Sequence, residues 1–151
     1  MIRILLFNAL FLICIGYALI KGGRPERSVA IIFCAARLLS DLVLYFTGSY
    51  YQAPEIGEIA VDGMTFGALV WVALAADRFW PMLVAAMQGV SLLAHLGRLI
   101  AYDILQTVYL NAVQLWAYPQ LVVLALGTAR VDLRRRNIRA GWWPLASGDI
   151  A

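Results

Sequence analysis

The chain has 151 residues, 63% of them apolar, 14% charged and 12% aromatic, with a formal net charge of +3. An ordinary soluble domain is about 45–50% apolar and about 25% charged, and a disordered chain needs low hydrophobicity and high charge, so both are excluded. Two cysteines are too few for a disulfide-framed secreted scaffold, which leaves one polytopic, all-α membrane domain as the expectation.

Taken in chain order, five stretches hold enough apolar residues to cross a bilayer core as helix: 2–20, 28–46, 60–77, 82–101 and 105–128. Their continuous Leu- and Ala-rich runs favour helices over a β-barrel, whose strands alternate. Arg3 is the whole of the first stretch's positive n-region, and no small-x-small cleavage site follows that stretch, so it reads as an anchor that stays in the mature chain. Ile13 before Cys14 is too large for a lipidation site. Gly22, Gly23 and Pro25 predict the first turn, with Ser28 as the cap of the second helix. Gly48, Ser49, Pro54 and Gly57 mark the longest loop. Gly63 and Gly67 form a G-x-x-x-G pair, and Ala85 and Gly89 a looser version, which predict close helix packing, inside one bundle as the first expectation and on a homodimer face as the alternative. Pro81 suits the first turn of the fourth helix, and Asp103 divides the fourth from the fifth. Pro119 lies inside the fifth helix, frees the carbonyl of Leu115 and predicts a kink there. Tyr45, Phe46, Tyr50 and Tyr51 on one side, and Phe79 and Trp80 on the other, read as interface anchors. No repeat links the two halves, which argues against an inverted-repeat transporter.

The charges are sorted by sign. Lys21, Arg24 and Arg27 fill the first loop, Arg78 the third, and Arg130, Arg134, Arg135, Arg136 and Arg139 the C-terminal segment. The second loop has Glu55 and Glu58 without Lys or Arg, and the fourth contributes Asp103. The positive-inside rule then places the N-terminus outside and the C-terminus in the cytoplasm of a cell inner membrane, with Arg3 alone opposing. Residues 1–129 form the bundle on this reading, and residues 130–151 a basic cytoplasmic tail.

A few polar residues lie inside the spans. Gln88, Ser91, His95, Arg98 and Tyr102 recur on the fourth at helical spacing, as do Thr107, Asn111, Gln114 and Tyr118 on the fifth. Such stripes are costly against acyl chains, so they are expected to face each other. At ~1.5 Å per residue, Asn8, Asp41, His95, Asn111 and Gln114 fall about 4–8 Å to the outer side of mid-membrane. This predicts a buried polar cluster in the outer half of the bundle. Arg37 and Asp41, four residues apart, can pair directly, and Asp41 can equally face Arg98 or His95. Candidate ligand or proton residues are therefore Asp41, His95, Arg98, Asn111, Gln114, Gln88, Asn8 and Arg37.

His95 is the only histidine, so one chain cannot supply a bis-histidine haem or a two-histidine metal site. Cys14 and Cys34 sit at similar depth without a C-x-x-C, and buried thiols in an apolar layer are inert. No Gly-rich phosphate loop occurs, the serines lack a matching base, and little chain lies outside the membrane, all of which argue against soluble-type enzyme chemistry. Arg134, Arg135, Arg136 and Arg139, followed by Trp142 and Trp143, suit anionic lipid or a cytoplasmic partner. Nucleic acid would need a larger basic surface.

The expected function is a non-enzymatic subunit, assembly factor or partner-binding component of a membrane complex, without metal or cofactor. Its partners are the lipid bilayer and other membrane subunits or a second copy. The alternatives are a small conduit or site for protons or a polar solute built on the outer polar layer, and a haem- or quinone-binding redox subunit.

Overall fold

The computed structural model of the chain describes residues 2–47, 56–100 and 106–139. Among the described residues all regular structure is helical: α1 (Ile2–Lys21), α2 (Arg24–Thr47), α3 (Ile56–Ala75), α4 (Trp80–Ile100) and α5 (Gln106–Arg139). Each apolar stretch of the sequence falls on one helix. α1 to α4 have 20, 24, 20 and 21 residues, or about 30–36 Å at the usual helical rise, against a hydrocarbon core of about 30 Å. By length and composition, α2 over Arg24–Phe46 and α3 over Gly57–Ala75 can cross a membrane, while Leu5–Lys21 of α1 is apolar but shorter.

Each helix packs on its neighbour in sequence, α5 returns against α1 to close a ring, and α5 also touches α2. The centre is filled mainly by small and medium side chains, among them Ala18, Val29, Ala30, Leu69, Val84, Leu121 and Leu124, with Phe33 the largest. Many of the large apolar side chains point outward instead, including Leu12, Ile13, Leu38, Trp71, Leu74, Leu93 and Leu126. A soluble protein would bury these and expose its polar groups. Here Gln88, Ser91, His95 and Gln120 are buried.

The α1–α2 turn is tighter than the sequence implied, and α2 begins at Arg24 instead of near Ser28. Pro25 fits a first helical turn, where its missing N–H is not needed. Glu26 reaches back so that Gly23 N–H donates to its Oε2 at 2.9 Å, the carboxylate half of a capping box. Ser28 therefore lies within the helix and is not its cap. Glu26 is 0% exposed; its Oε1 faces Arg78 Nη1 of the α3–α4 turn at 3.8 Å and has no hydrogen-bond partner. Gly22 N–H donates to Ala18 C=O at 2.9 Å, which ends α1. A Cβ on Gly22 would run into that same carbonyl and come within 2.7 Å of Glu26 Cβ.

Three further expectations change. A Cβ on Gly63 or Gly67 would meet nothing within 4 Å, so this G-x-x-x-G pair is not a close contact inside the chain; Gly89 is, against Phe66. Trp80 is not a free interface anchor: its ring packs on Gly127 of α5, 3.0 Å from where a Cβ would stand, while Phe79 stays exposed. α5 continues through Pro119 and on to Arg139, so the fifth helix runs past the expected span end at 128 and residues 130–139 are helical; the rest of the expected tail lies outside the described residues. Burial of Val131 and Asp132 and the Asp132–Arg136 pair at 2.8 Å, one turn apart, hold that extension helical. Its Arg135 Nη1 donates to Lys21 C=O at 3.2 Å. Tyr50, Tyr51 and Asp103 lie outside the described residues.

Gly22→Ala should destabilise the bundle by about 1–3 kcal/mol, the usual range for forced overpacking. Gly63→Ala, in open space within a helix, should be neutral or stabilise by up to about 1 kcal/mol. Thermal unfolding in detergent followed by circular dichroism checks both; equal effects would show that the α1–α2 turn is not tightly packed.

Candidate functional site

The polar residues inside the bundle form a directed chain of hydrogen bonds across three helices. Gln120 Nε2 of α5 donates to Gln88 Oε1 of α4 at 3.1 Å. Gln88 Nε2 donates in turn to Asp62 Oδ1 of α3 at 3.1 Å. His95 Nε2, two turns along α4 from Gln88, lies 2.8 Å from Asp62 Oδ2. Gln88 Nε2 and His95 Nε2 of α4 therefore converge on the two oxygens of the Asp62 carboxyl group. Gln88 and His95 share one face because they are seven residues apart, close to two helical turns. Ser91 shares that face and is buried between them. Thr65 on α3 is satisfied locally, donating to Val61 C=O at 2.7 Å.

Burial makes each of these bonds consequential, because an unpaired amide or carboxylate in an apolar interior forfeits the solvation it left behind. The chain uses both Asp62 oxygens and both polar ends of the Gln88 amide. The Asp62 side chain remains 24% exposed, the least buried member of the chain.

The other candidates from the sequence are placed differently. Arg37 Nη2 and Asp41 Oδ1 are 3.1 Å apart, on the outer surface of α2, with side chains 48% and 52% exposed. Asp41 therefore does not meet His95; Asp62 holds that place. Asn8 is half-buried on α1, apart from the hydrogen-bonded chain. The side chains of Arg98, Asn111, Gln114 and Arg139 lie outside the described residues, as do Trp142 and Trp143 altogether. Tyr118, the last member of the expected α5 stripe, packs edge-on against Phe7 of α1 at 5.3 Å between ring centroids, and so faces α1. Arg134, Arg135 and Arg136 are exposed on the α5 extension, where Arg135 and Arg136 make the contacts given above and Arg134 is also engaged.

Sequence reasoning missed Asp62 and Gln120. Asp62 sits in the second turn of α3, which starts four residues before the expected span and so draws it inward. Gln120 was overlooked beside Pro119, yet it begins the buried stripe of α5, Gln120, Leu121, Leu124, Thr128 and Val131. That spacing was readable. Among the described residues no three His, Cys, Asp or Glu side chains gather as a metal site, and both Cys14 and Cys34 are free thiols.

A double-mutant cycle on Gln88→Ala and Gln120→Ala should give a coupling of about 0.6 kcal/mol, with about 1.7 as its ceiling, the range for hydrogen bonds between helices in a membrane. Unfolding in mixed micelles measures it; strict additivity would mean that the two amides do not meet. Comparison of the chain with known protein families, curated proteins and solved structures gave no match, so its own residues carry the functional argument.

Proposed function

We propose that the chain is a five-span protein of the cell inner membrane, N-terminus outside and C-terminus in the cytoplasm, acting as a non-enzymatic subunit or assembly component of a membrane complex. Its outward-facing large apolar residues and inward-facing amides support the membrane part. In α2 and α3 only 17% of each apolar window is buried, unlike the core helix of a soluble protein. The α1–α2 turn, the α3–α4 turn and the end of α5 meet through Glu26–Arg78 and Arg135–Lys21. The basic segments therefore share one end of the bundle, as the positive-inside rule asks of a cytoplasmic side.

The observation that carries the partner-binding part is the Arg37–Asp41 pair. It stands midway along α2, about half exposed, between outward-facing Leu38 and Leu42. Charges at that depth cost about 2.5–3.5 kcal/mol each on insertion scales. Internal pairing lowers this, and a polar group from a neighbouring subunit's helix lowers it further. The face is polar enough to select a partner and apolar enough to sit in lipid without one during insertion.

A second reading rests on the Asp62–His95 contact: a site for a proton or small polar solute, with Gln88 and Gln120 orienting the carboxylate. Asp62→Asn and His95→Ala should then abolish flux or ligand binding, and unchanged transport in both would remove this reading.

For the main reading, the tagged wild-type chain purified from its native membrane should bring a stoichiometric partner subunit. Arg37→Leu/Asp41→Leu should lose that partner at least tenfold while keeping its helicity and its membrane retention. An isolated wild-type monomer, or a double variant that keeps the same partner, would contradict the assignment.

A further inference from the structure

We propose that the groove between the first turn of α2 and the last turn of α3 binds one anionic glycerophospholipid, its phosphate on Arg24 and Ser28 and the start of an acyl chain along Trp71, Val72 and Ala75. This rests on the membrane reading above, and it assigns a site where that reading gives only a surface. The groove has a volume of about 190 Å³ and is lined by these five side chains with Pro25 and Ala76.

Its two halves differ in chemistry. At the α2 end stand an exposed guanidinium and a hydroxyl, a donor pair suited to phosphate oxygens. The start of a helix of 24 residues adds a favourable dipole for an anion. At the α3 end the wall is apolar, with Trp71 exposed beside it, the ring type that settles at headgroup level. Charge complementarity singles out an anionic headgroup. Glu26, the acid nearest in sequence, is fully buried and turned to Gly23 and Arg78, and Asp77, next to Ala76, does not line the groove. Among the described residues, Arg24 therefore presents its charge to the groove without a carboxylate in its lining to neutralise it. Lys21 and Arg27, both exposed near the same end, raise the local positive potential.

The test is native mass spectrometry of the full chain in detergent, with phosphatidylglycerol or phosphatidylcholine of identical acyl chains added in turn. Wild type should retain one phosphatidylglycerol about fivefold over phosphatidylcholine, the advantage of one arginine near an anionic headgroup. Arg24→Gln should bring the ratio to parity. Ala75→Phe, which fills the apolar half and leaves Arg24 in place, should do the same, and it keeps the test open if Arg24→Gln fails to fold. Equal retention of the two lipids by wild type overturns the proposal, and so does a preference that survives Ala75→Phe, which would mark a diffuse surface charge instead of a groove. Carbonate washing of native membranes separates the two claims. A chain washed free sinks the membrane reading, whereas a chain retained without lipid preference sinks only the site.

Discussion

Polar side chains placed inside an apolar bundle must find one another, because nothing else there can solvate them. In this chain that constraint is met by one carboxylate. Asp62 draws His95 and Gln88 from α4, and Gln88 passes the requirement on to Gln120 of α5. Three helices are thereby fixed in rotation and in register, since a turn of any one of them strands a buried donor or acceptor. The surrounding core of Ala, Val and Leu is non-directional, and the close contacts of Gly89 with Phe66 and of Gly127 with Trp80 add to the polar chain in fixing that register.

The opposite end of the bundle is organised by a carboxylate that is fully buried and has a different task. Glu26 closes the α1–α2 turn through Gly23 and faces Arg78 across the α3–α4 turn, and Arg135 of α5 caps the end of α1 by binding the Lys21 carbonyl. The bundle is therefore pinned at one end by turns and within its body by amides. Between these pins, α5 is the longest element and runs on past the others, its Gly127 accommodating the Trp80 ring. Function on this account lies at the edges of the rigid core: the Arg37–Asp41 pair on the outer face of α2 and the groove where α2 starts.

Much of this was legible in the sequence because it depends on periodicity. The apolar runs marked the helices, and the spacing of Gln88, Ser91 and His95 marked a face that the structure buries. What was not legible depends on rotation and on exact starts. Asp41 looked level with His95, but the buried residues of α2, Glu26, Val29, Ala30 and Phe33, all lie in its first half; no described α2 residue beyond Phe33 is buried, so Arg37 and Asp41 stay about half exposed although they continue the same helical spacing. Asp62 looked like a rim residue because α3 begins earlier than its hydropathy suggested. Reading Glu26 as a helix-capping group would have required knowing that Gly23, and not Ser28, starts α2. Each miss concerns a side chain whose partner lies on another helix or across a turn, which spacing within one helix does not report.

The central claim is that the two ends of this bundle lie on opposite sides of a membrane, and site-directed thiol labelling tests it most directly. In a Cys14→Ala/Cys34→Ala background, single cysteines replace Phe46 at the end of α2 and Lys21 at the end of α1, both exposed positions. A membrane-impermeant maleimide should label Phe46→Cys in cells whose inner membrane is intact, and Lys21→Cys only after that membrane is opened. Labelling of both positions before opening, or of Lys21→Cys alone, would contradict the account.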